Sequence, residues 1–171
     1  MRLFFAIWPP TAAARALAQW ARATQRVTGG RATDEGKIHL TLAFLGDVDP
    51  EPALAAAARV SARTHELPIE EARYWRDKRI VWAGPRQTPA ALLDLSARLA
   101  AELAREGFNL EHRPFAAHLT LVRKARAAPL PPLPALAWPV EEFVLVRSTL
   151  SSAGSTYDSI GRFPLIGPEH G

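Results

Sequence analysis

The tetrapeptide His-Leu-Thr-Leu occurs twice in this chain, as residues 39–42 and again as residues 118–121. Each copy is preceded by an apolar stretch, an alanine-rich helical stretch and a polar loop. His39 follows Phe5 by 34 positions, and His118 follows Trp82 by 36 positions. Because the same order of segments recurs with almost equal intervals, the sequence indicates an internal duplication. We therefore expect two similar halves, each ending in one copy of the motif.

The length and composition are those of a globular protein. With 171 residues, of which 48% are hydrophobic, the chain can bury one sizeable core or two small lobes that share an interface. No stretch approaches the roughly 20 apolar residues that a membrane-spanning helix requires. Pro9-Pro10 follow the short apolar N-terminal stretch without a signal-type cleavage region. We expect a single bilobal domain over residues 1–171 that acts in the cytoplasm, away from membranes.

Hydrophobic periodicity and turn residues predict an α+β fold. The predicted strands cover residues 3–8, 38–45, 79–83, the second motif at 118–121, 140–150 and 156–166. The predicted helices run from Pro9 to about Val27, from Asp49 to about His65, and from about Thr88 to Glu106. Residues 127–139 contain too much proline for a helix or a central strand, so we expect a stiff surface connection there.

The motif places two kinds of side chain on opposite faces of a strand. Residues two apart in a strand share a face, so His39 and Thr41 project together while the two leucines project into the core. The same alternation puts His118 beside Thr120. If the duplicated halves fold alike, the two polar faces can meet across a cleft.

Two facing histidines meet the requirements for cleaving a phosphodiester without a metal. One ring removes a proton from the attacking oxygen while the other gives a proton to the leaving oxygen, and each role contributes roughly 10² to 10⁴ in rate. An unperturbed imidazole pKa of about 6.5 allows one ring to be neutral and the other protonated. The threonine hydroxyls can donate hydrogen bonds to the non-bridging phosphate oxygens.

A structural explanation of the motif has to be weighed against the catalytic one. A lone histidine in a strand is usually a structural residue. Core packing would preserve the repeated leucines but would be indifferent to His and Thr. Because all four residues recur at corresponding points, we favour the catalytic interpretation.

The remaining composition narrows the chemistry. The lack of cysteine excludes disulfides, thiolate zinc sites and a cysteine nucleophile, and fits a reducing compartment. His65, His112 and His170 have no partners at metal-ligand spacing, and no glycine-rich phosphate loop is present. We predict neither a metal nor a cofactor. The net charge of +4 suits a polyanionic partner, although such a charge is also common in proteins that bind no nucleic acid.

The paired motifs resemble those of the 2H phosphoesterase superfamily, which is named for two His-x-Thr/Ser-x motifs. The sequence is most similar to its bacterial RNA 2′,3′-cyclic phosphodiesterase branch, also called the 2′-5′ RNA ligase or LigT-type family. The similarity extends over nearly the whole chain and is carried by residues 2–7, 39–46, 113–115, 118–123 and 138–140. It implies two pseudo-symmetric lobes whose antiparallel sheets line a central cleft, with helices outside.

The resemblance also implies an activity. Members hydrolyse RNA 2′,3′-cyclic phosphate ends to 2′-phosphomonoesters, with weak, reversible 2′-5′ ligation. By this likeness His39 is the proton donor to the O3′ leaving group and His118 is the proton acceptor that activates water. Carried over in the same way, Thr41, Thr120 and Arg123 contact the phosphate and Phe44 stacks on a base. RNA is then the partner, and one chain supplies both histidines, so a monomer suffices.

Several interpretations stay open at this level. Phe44 and Arg123 each lie five positions after their histidine, so in regular strands they face the core side, and a bulge is required to bring them to the cleft. Without one, Phe44 is a core residue and Arg123 a solvated one. Arg31 and Lys37 either contact RNA or are solvated loop charges. Residues 73–79 are either a basic, aromatic RNA platform or a charged sheet edge.

Two other functions remain possible. The first is the same chemistry on a nucleotide-sized cyclic phosphate. The second is RNA binding without catalysis, which predicts salt-dependent binding and no product.

Overall fold

The computed structural model describes residues 1–110 and 115–168, and the predictions that involve Arg113, Pro114, His112 and His170 lie outside these ranges. Its strands are β1 (Arg2–Ile7), β2 (Arg31–Ala32), β3 (Leu40–Asp47), β4 (His65–Ile69), β5 (Glu71–Trp75), β6 (Ile80–Gly84), β7 (Leu119–Arg123), β8 (Leu136–Val140), β9 (Glu142–Ser151) and β10 (Gly154–Pro164). Its helices are α1 (Thr11–Thr28), α2 (Pro50–Ala58) and α3 (Ala90–Arg105). The α+β class predicted from the sequence is confirmed.

The main sheet is antiparallel and is organised around the two motifs. Its strand order is β10-β9-β1-β3-β7-β6-β5, with β2 added beside β7. The motif strands β3 and β7 are neighbours and are joined through the register pair Leu40 and Leu119. On one side β1 pairs with β3, and on the other β6 pairs with β7. The predicted duplication is therefore confirmed, since equivalent strands flank the junction in both halves.

One face of this sheet is covered by helices. In α3 the buried residues recur at helical spacing and present one apolar stripe, formed by Leu92, Leu95, Leu99 and Leu103. They belong to the same core cluster as Leu40 and Leu119, both of which are fully buried. Burying a leucine contributes about 1.5–3 kcal/mol. The core thus lies on the leucine face of the motifs, and the His/Thr face is left for the cleft.

Helix α2 is shorter than the sequence predicts. It ends at Ala58, and the chain then enters β4 at His65 instead of continuing as helix to about that residue. The backbone of this segment bonds elsewhere in the fold: Thr64 donates to the carbonyl of Ile166, and Ile166 donates to that of Ala62. These tertiary hydrogen bonds replace helical ones in a segment where Val60, Ser61 and Thr64 have lower helix propensity than the alanines of α2.

The proline-rich connection ends in a strand. Residues Leu136–Val140 form β8, which pairs with β4 in a separate two-stranded sheet. Pro139 is tolerated there because an edge strand leaves one row of its backbone groups unpaired. Earlier in the connection, the indole of Trp20 donates to the carbonyls of Pro131 and Pro132, at 3.2 and 3.1 Å. This contact holds the connection against α1.

Candidate active site

A cavity of about 890 Å³ opens on the His/Thr face of the sheet. Its lining includes all six residues that the sequence and the resemblance single out, namely His39, Thr41, Phe44, His118, Thr120 and Arg123. The leucines of the two motifs are turned away from it into the core, as strand alternation predicts. The duplicated motifs therefore contribute to one cavity and not to two separate surfaces.

The two histidines are held in the same way. The Nδ1 of His39 lies 2.7 Å from the carbonyl oxygen of Lys37, and the Nδ1 of His118 lies 2.9 Å from that of Ala116. A carbonyl oxygen can only accept, so Nδ1 carries the hydrogen in both rings. The Nε2 atom of each ring is left to exchange a proton with a substrate.

A bulge in β3 brings Phe44 to the cavity. Ala6 pairs with Thr41 but Phe5 pairs with Ala43, so Leu42 is an extra residue and the alternation is reversed beyond it. Phe44 consequently lies opposite Phe4, with ring centroids 5.9 Å apart and 74% of its surface exposed. The alternative that Phe44 is a core residue is wrong, because that interpretation assumed a regular strand.

The same irregularity occurs at the same place in the second motif. Trp82 pairs with Thr120 but Val81 pairs with Val122, which leaves Leu121 as the extra residue. Both Leu121 and Val122 are buried, and Arg123 then emerges in the cavity lining. The fourth residue of each tetrapeptide is thus a bulge. Phe44 and Arg123 occupy equivalent positions after it.

The loop before the first motif lies against the second motif. Strand β2 pairs Arg31 with Arg123, and the hydroxyl of Thr33 donates to the carbonyl of Thr120 at 3.0 Å. Gly30 has a φ of 84°, and a Cβ atom there would collide with the carbonyl oxygen of Arg123. Both Arg31 and Lys37 line the cavity. The two-residue strand β2 gave no signal in the sequence.

The surroundings of His39 are aromatic. Its ring centroid lies 5.0 Å from those of Phe4 and Trp8 and 5.5 Å from that of Tyr157. Burial among these rings lowers the pKa of His39, because a charged imidazole loses hydration there. The bond to the Lys37 carbonyl acts in the opposite direction, while the positive charges of Arg123 and His118 lower the pKa further. In the free protein His39 is therefore neutral down to a lower pH than usual.

Sequence reasoning missed these aromatic residues. Strand β1 is apolar on both faces, with Leu3 and Phe5 in the main core and Phe4 in a smaller cluster. Its sequence therefore does not indicate which side chains face the cavity. Tyr157 reaches the site from β10, far along the chain. Its aromatic character in a closing strand was the only available signal.

Some residues of the segment 73–79 line the cavity, as an RNA platform would, and others lie at the exposed edge of the sheet. Trp75 and Lys78 line the cavity, with the Trp75 ring 5.8 Å from that of His118 and the Lys78 Nζ 4.3 Å from the Trp75 ring. Arg76 lies in the exposed turn between β5 and β6. Arg79 turns back to the carbonyl of Ala125, at 3.3 Å. Only part of this segment can therefore contact a ligand in the cavity.

The cavity is suited to an anion. Among the described residues that line it, one carboxylate, Asp34, faces five basic side chains, which are Arg2, Arg31, Lys37, Lys78 and Arg123. Asp34 is itself 3.8 Å from the Lys37 ammonium group. A positive, concave wall of this kind concentrates phosphate-bearing ligands.

Two further properties concern the described part of the chain only. Its His, Asp and Glu side chains do not form a group of three or more that could hold a metal ion. None of its helices combines the length and apolar character needed to cross a membrane.

Comparison with known proteins agrees with the duplicated architecture. The sequence model of the family described as LigT like Phosphoesterase matches twice, over residues 7–82 and 83–157. A protein of Escherichia coli K12 named RNA 2′,3′-cyclic phosphodiesterase is 35% identical over 169 residues, covering 96% of both chains. One of the same name from Thermus thermophilus is 33% identical over 186 residues, covering 100% of this chain and 93% of that one.

Solved structures give the same result. The crystal structure of E. coli LigT complexed with 3′-AMP superposes with a TM-score of 0.87 at 34% identity, covering 96% of this chain and 97% of the other. The fold of two pseudo-symmetric lobes, the paired motifs and the two successive matches of one family model all lead to the same conclusion: this chain belongs to the LigT-like family of 2H phosphoesterases.

Proposed function

We propose that this protein hydrolyses RNA 2′,3′-cyclic phosphate ends to 2′-phosphomonoesters, as one catalytic domain acting as a monomer without a cofactor. The observation that carries the proposal is the equivalent anchoring of His39 and His118 in one basic cavity, each through Nδ1 to the carbonyl two residues earlier. The names of the E. coli and T. thermophilus relatives support RNA as the substrate.

The proposed reaction uses the two Nε2 atoms in complementary roles. The neutral His118 takes a proton from water as the water oxygen attacks phosphorus. The bond from phosphorus to O3′ breaks, and protonated His39 gives its proton to O3′. The product keeps the phosphate on O2′ and gains a free 3′-hydroxyl. Solvent then returns both rings to their starting protonation states.

The phosphate is held by groups from both motifs. Thr41 and Thr120 line the cavity at equivalent positions and can donate their hydroxyl hydrogens to non-bridging oxygens. Arg123 lies on the same strand as Thr120 and brings a permanent positive charge to the cavity lining. Donors placed in advance around the phosphate stabilise the charge that accumulates there in the transition state. Phe44, largely exposed at the cavity wall, offers its ring to the base of the cyclic nucleotide.

The low pKa of His39 is compatible with its role as the acid. Burial, Arg123 and His118 all disfavour its protonated form in the free protein. A bound phosphate brings negative charge next to the ring and offsets the two cationic effects. We infer that His39 becomes protonated as the substrate binds. An acid whose pKa is moderately low also gives up its proton readily to O3′.

The decisive experiment follows the chemistry of an RNA end. An oligonucleotide with a 2′,3′-cyclic phosphate is incubated with the wild type, His39→Ala and His118→Ala, and its ends are resolved by phosphatase sensitivity and mass spectrometry. Each substitution should lower turnover by about 10² to 10⁴, the range for one acid or base. Full activity in both variants would refute the proposal.

His65 supplies a matched control. Its Nδ1 is also held by the carbonyl two residues earlier, at 3.0 Å from Arg63, but it does not line the cavity. His65→Gln should retain activity. Salt-dependent RNA binding without product from the wild type would instead favour a non-catalytic binding protein. Faster turnover of a cyclic mononucleotide or of ADP-ribose cyclic phosphate would favour a small-molecule substrate.

A further inference from the structure

The main cavity continues past the residues that the proposed reaction uses. Its volume of about 890 Å³ lies near the upper end of the roughly 300–1,000 Å³ range of small-molecule sites. Beyond Phe44 its lining reaches the hairpin of β9 and β10, where it includes Ser148, Leu150 and residues 153–155. None of these hairpin residues has a role in the hydrolysis described above.

The register of the main sheet shows where this part of the cavity lies. Phe4 pairs with Phe44, and the first motif pairs with the other end of β1. Arg2 is two residues before Phe4 on the same face, so it lies about 7 Å further from the motif along the strand. Arg2 pairs with Ser148, and Leu150 follows on the same face of β9. We call this region, formed by Arg2, Ser148, Leu150 and residues 153–155, the hairpin end of the cavity.

The hairpin end exposes an apolar side chain to the cavity. Leu150 is 62% exposed although it belongs to the cavity lining. Among the residues that the structure describes, Leu150 and Phe44 are the two large apolar side chains that are both exposed and part of this lining. Exposed apolar surface in a binding cavity marks a place that a ligand covers. Since Phe44 is proposed to stack on the terminal base, Leu150 is available to a second one.

Positive charge accompanies this apolar surface. Arg2 is exposed and lines the cavity at the hairpin end. Arg31 and Arg123 pair between β2 and β7, on the other side of β3, so Arg2 is separate from the charges beside the second motif. Asp47, the partner of Arg2 in the register with β3, lies outside the cavity lining and accepts a hydrogen bond from the N-terminal ammonium group. Arg2 therefore presents a cation to a second phosphate.

The covalent structure of RNA leads the strand toward the hairpin end. In a 2′,3′-cyclic nucleotide the reacting phosphate is bonded to one edge of the ribose. The link to the preceding nucleotide starts at C5′, which is attached to C4′ on another side of the ring. With the phosphate between the histidines and the base on Phe44, this link leaves the ribose away from the histidines. The hairpin end is the part of the cavity that lies beyond Phe44.

We propose, on the basis of the function proposed above, that the hairpin end of the cavity binds the nucleotide that precedes the cyclic phosphate in an RNA strand. Arg2 contacts the phosphodiester that joins the last two nucleotides, and Leu150 packs against the preceding base. The hydroxyl of Ser148, next to Arg2 in the sheet, can donate to the same phosphodiester. The protein thereby distinguishes an RNA end from a free cyclic mononucleotide through binding.

The test compares two substrates that undergo the same reaction. A dinucleotide with a terminal 2′,3′-cyclic phosphate contains the preceding nucleotide, whereas a nucleoside 2′,3′-cyclic phosphate lacks it. The wild type should have the higher kcat/KM for the dinucleotide, with a lower KM and a similar kcat, because the added contacts are equal in the ground and transition states. Leu150→Ala should lower this preference by about 10-fold, as expected if a base covers about half of that side chain.

Arg2 is tested through the salt dependence of binding. A dinucleotide that ends in a 2′-phosphate is the product of the proposed reaction and can be titrated without turnover. Arg2→Ala should weaken its binding and reduce the slope of log Kd against log salt concentration by about 0.7, the value for one phosphate contact on a single strand. Arg2→Lys should keep the slope. The Kd of a nucleoside 2′-phosphate, which lacks the second phosphate, should change little in either variant.

The chain offers matched controls for both residues. Thr149 precedes Leu150 on β9, is also exposed and lies outside the cavity lining, on the opposite face of the strand. Thr149→Ala should therefore leave the preference for the dinucleotide unchanged. Arg22→Ala removes an exposed charge on α1, outside the cavity lining, and should leave the salt slope unchanged. Leu150→Phe keeps an apolar surface and should at least preserve the preference.

The outcomes separate this inference from the proposed function. A wild type whose kcat/KM for the dinucleotide is no higher than for the mononucleotide would overturn the inference, while hydrolysis of an RNA end would still stand. An equal loss on both substrates in Leu150→Ala would also overturn it, because that result indicates damage to the catalytic centre. An unaltered salt slope in Arg2→Ala would contradict the contact with the second phosphate. A wild type inactive on both substrates would instead remove the proposed function itself.

Discussion

Leu40 and Leu119 form the register pair that joins β3 to β7, and with it the two halves of the main sheet. Each leucine directly follows the histidine of its motif, so the pair that closes the sheet also brings His39 and His118 to the same cavity. The contact that packs the leucines in the core also brings the histidines close to each other. The arrangement of the two histidines in the cavity therefore depends on the same contact that unites the halves.

The first prediction concerns the charge of Arg123. Because its guanidinium lowers the pKa of His39, Arg123→Ala should raise that pKa toward the usual value, although burial will still keep it low. A histidine-detected NMR titration of the free protein measures the change. Arg22→Ala removes an exposed charge on α1, away from the cavity, and should leave the pKa of His39 unaltered. A pKa that stays the same or falls in Arg123→Ala would contradict the electrostatic coupling.

The second prediction concerns the pH dependence of the reaction. His39 must be protonated to act as the acid, so activity falls as pH rises through its pKa. The profile of kcat/KM reports the free enzyme, where this pKa is low. The profile of kcat reports the substrate complex, where we expect the negative phosphate to raise it. The pH at which activity falls because His39 loses its proton should therefore be higher in the kcat profile than in the kcat/KM profile. Saturating inorganic phosphate should raise the pKa of His39 in an NMR titration, and limbs at equal pH would argue against substrate-linked protonation.

Much of this architecture follows from local patterns in the sequence. The alternation of the motif predicts that Leu40 is buried and that Thr41 is not, and the structure agrees. The spacing of the two copies predicts the duplication. These features are readable because each depends on residues close together in the chain.

The remaining features depend on contacts that the sequence does not encode locally. The bulges at Leu42 and Leu121 are defined by the registers with β1 and β6, and so the cavity positions of Phe44 and Arg123 came from the resemblance and not from periodicity. The early end of α2 is likewise caused by hydrogen bonds from the distant Ile166. In each case the local structure is determined by hydrogen bonds between residues that are far apart in the sequence.

The third prediction concerns Phe44. Its ring is 74% exposed, so truncation removes little buried surface and should change the free energy of unfolding by less than about 1 kcal/mol. Loss of base stacking should lower kcat/KM for a cyclic-phosphate RNA by about 5- to 150-fold. Steady-state kinetics and chemical denaturation test the two parts. Leu93→Ala shortens another exposed apolar side chain, on α3 and outside the cavity, and should leave kinetics unchanged. A Phe44→Ala enzyme with wild-type kinetics would exclude a stacking role.

The fourth prediction tests whether docking of the loop before the first motif supports the second motif. At Gly30 the positive φ is strained for any side chain, and a Cβ atom would meet the main chain of Arg123 and Lys124. Gly30→Ala should destabilise the fold by about 1–3 kcal/mol and should lower activity by displacing Arg123. Gly36 lies in the same loop, where an added Cβ atom would meet nothing within 4 Å, so Gly36→Ala is the matched control and should behave as wild type. Thermal unfolding and cyclic-phosphate turnover measure both effects. Equal stability and activity in the two variants would show that the pairing of β2 with β7 does not position Arg123.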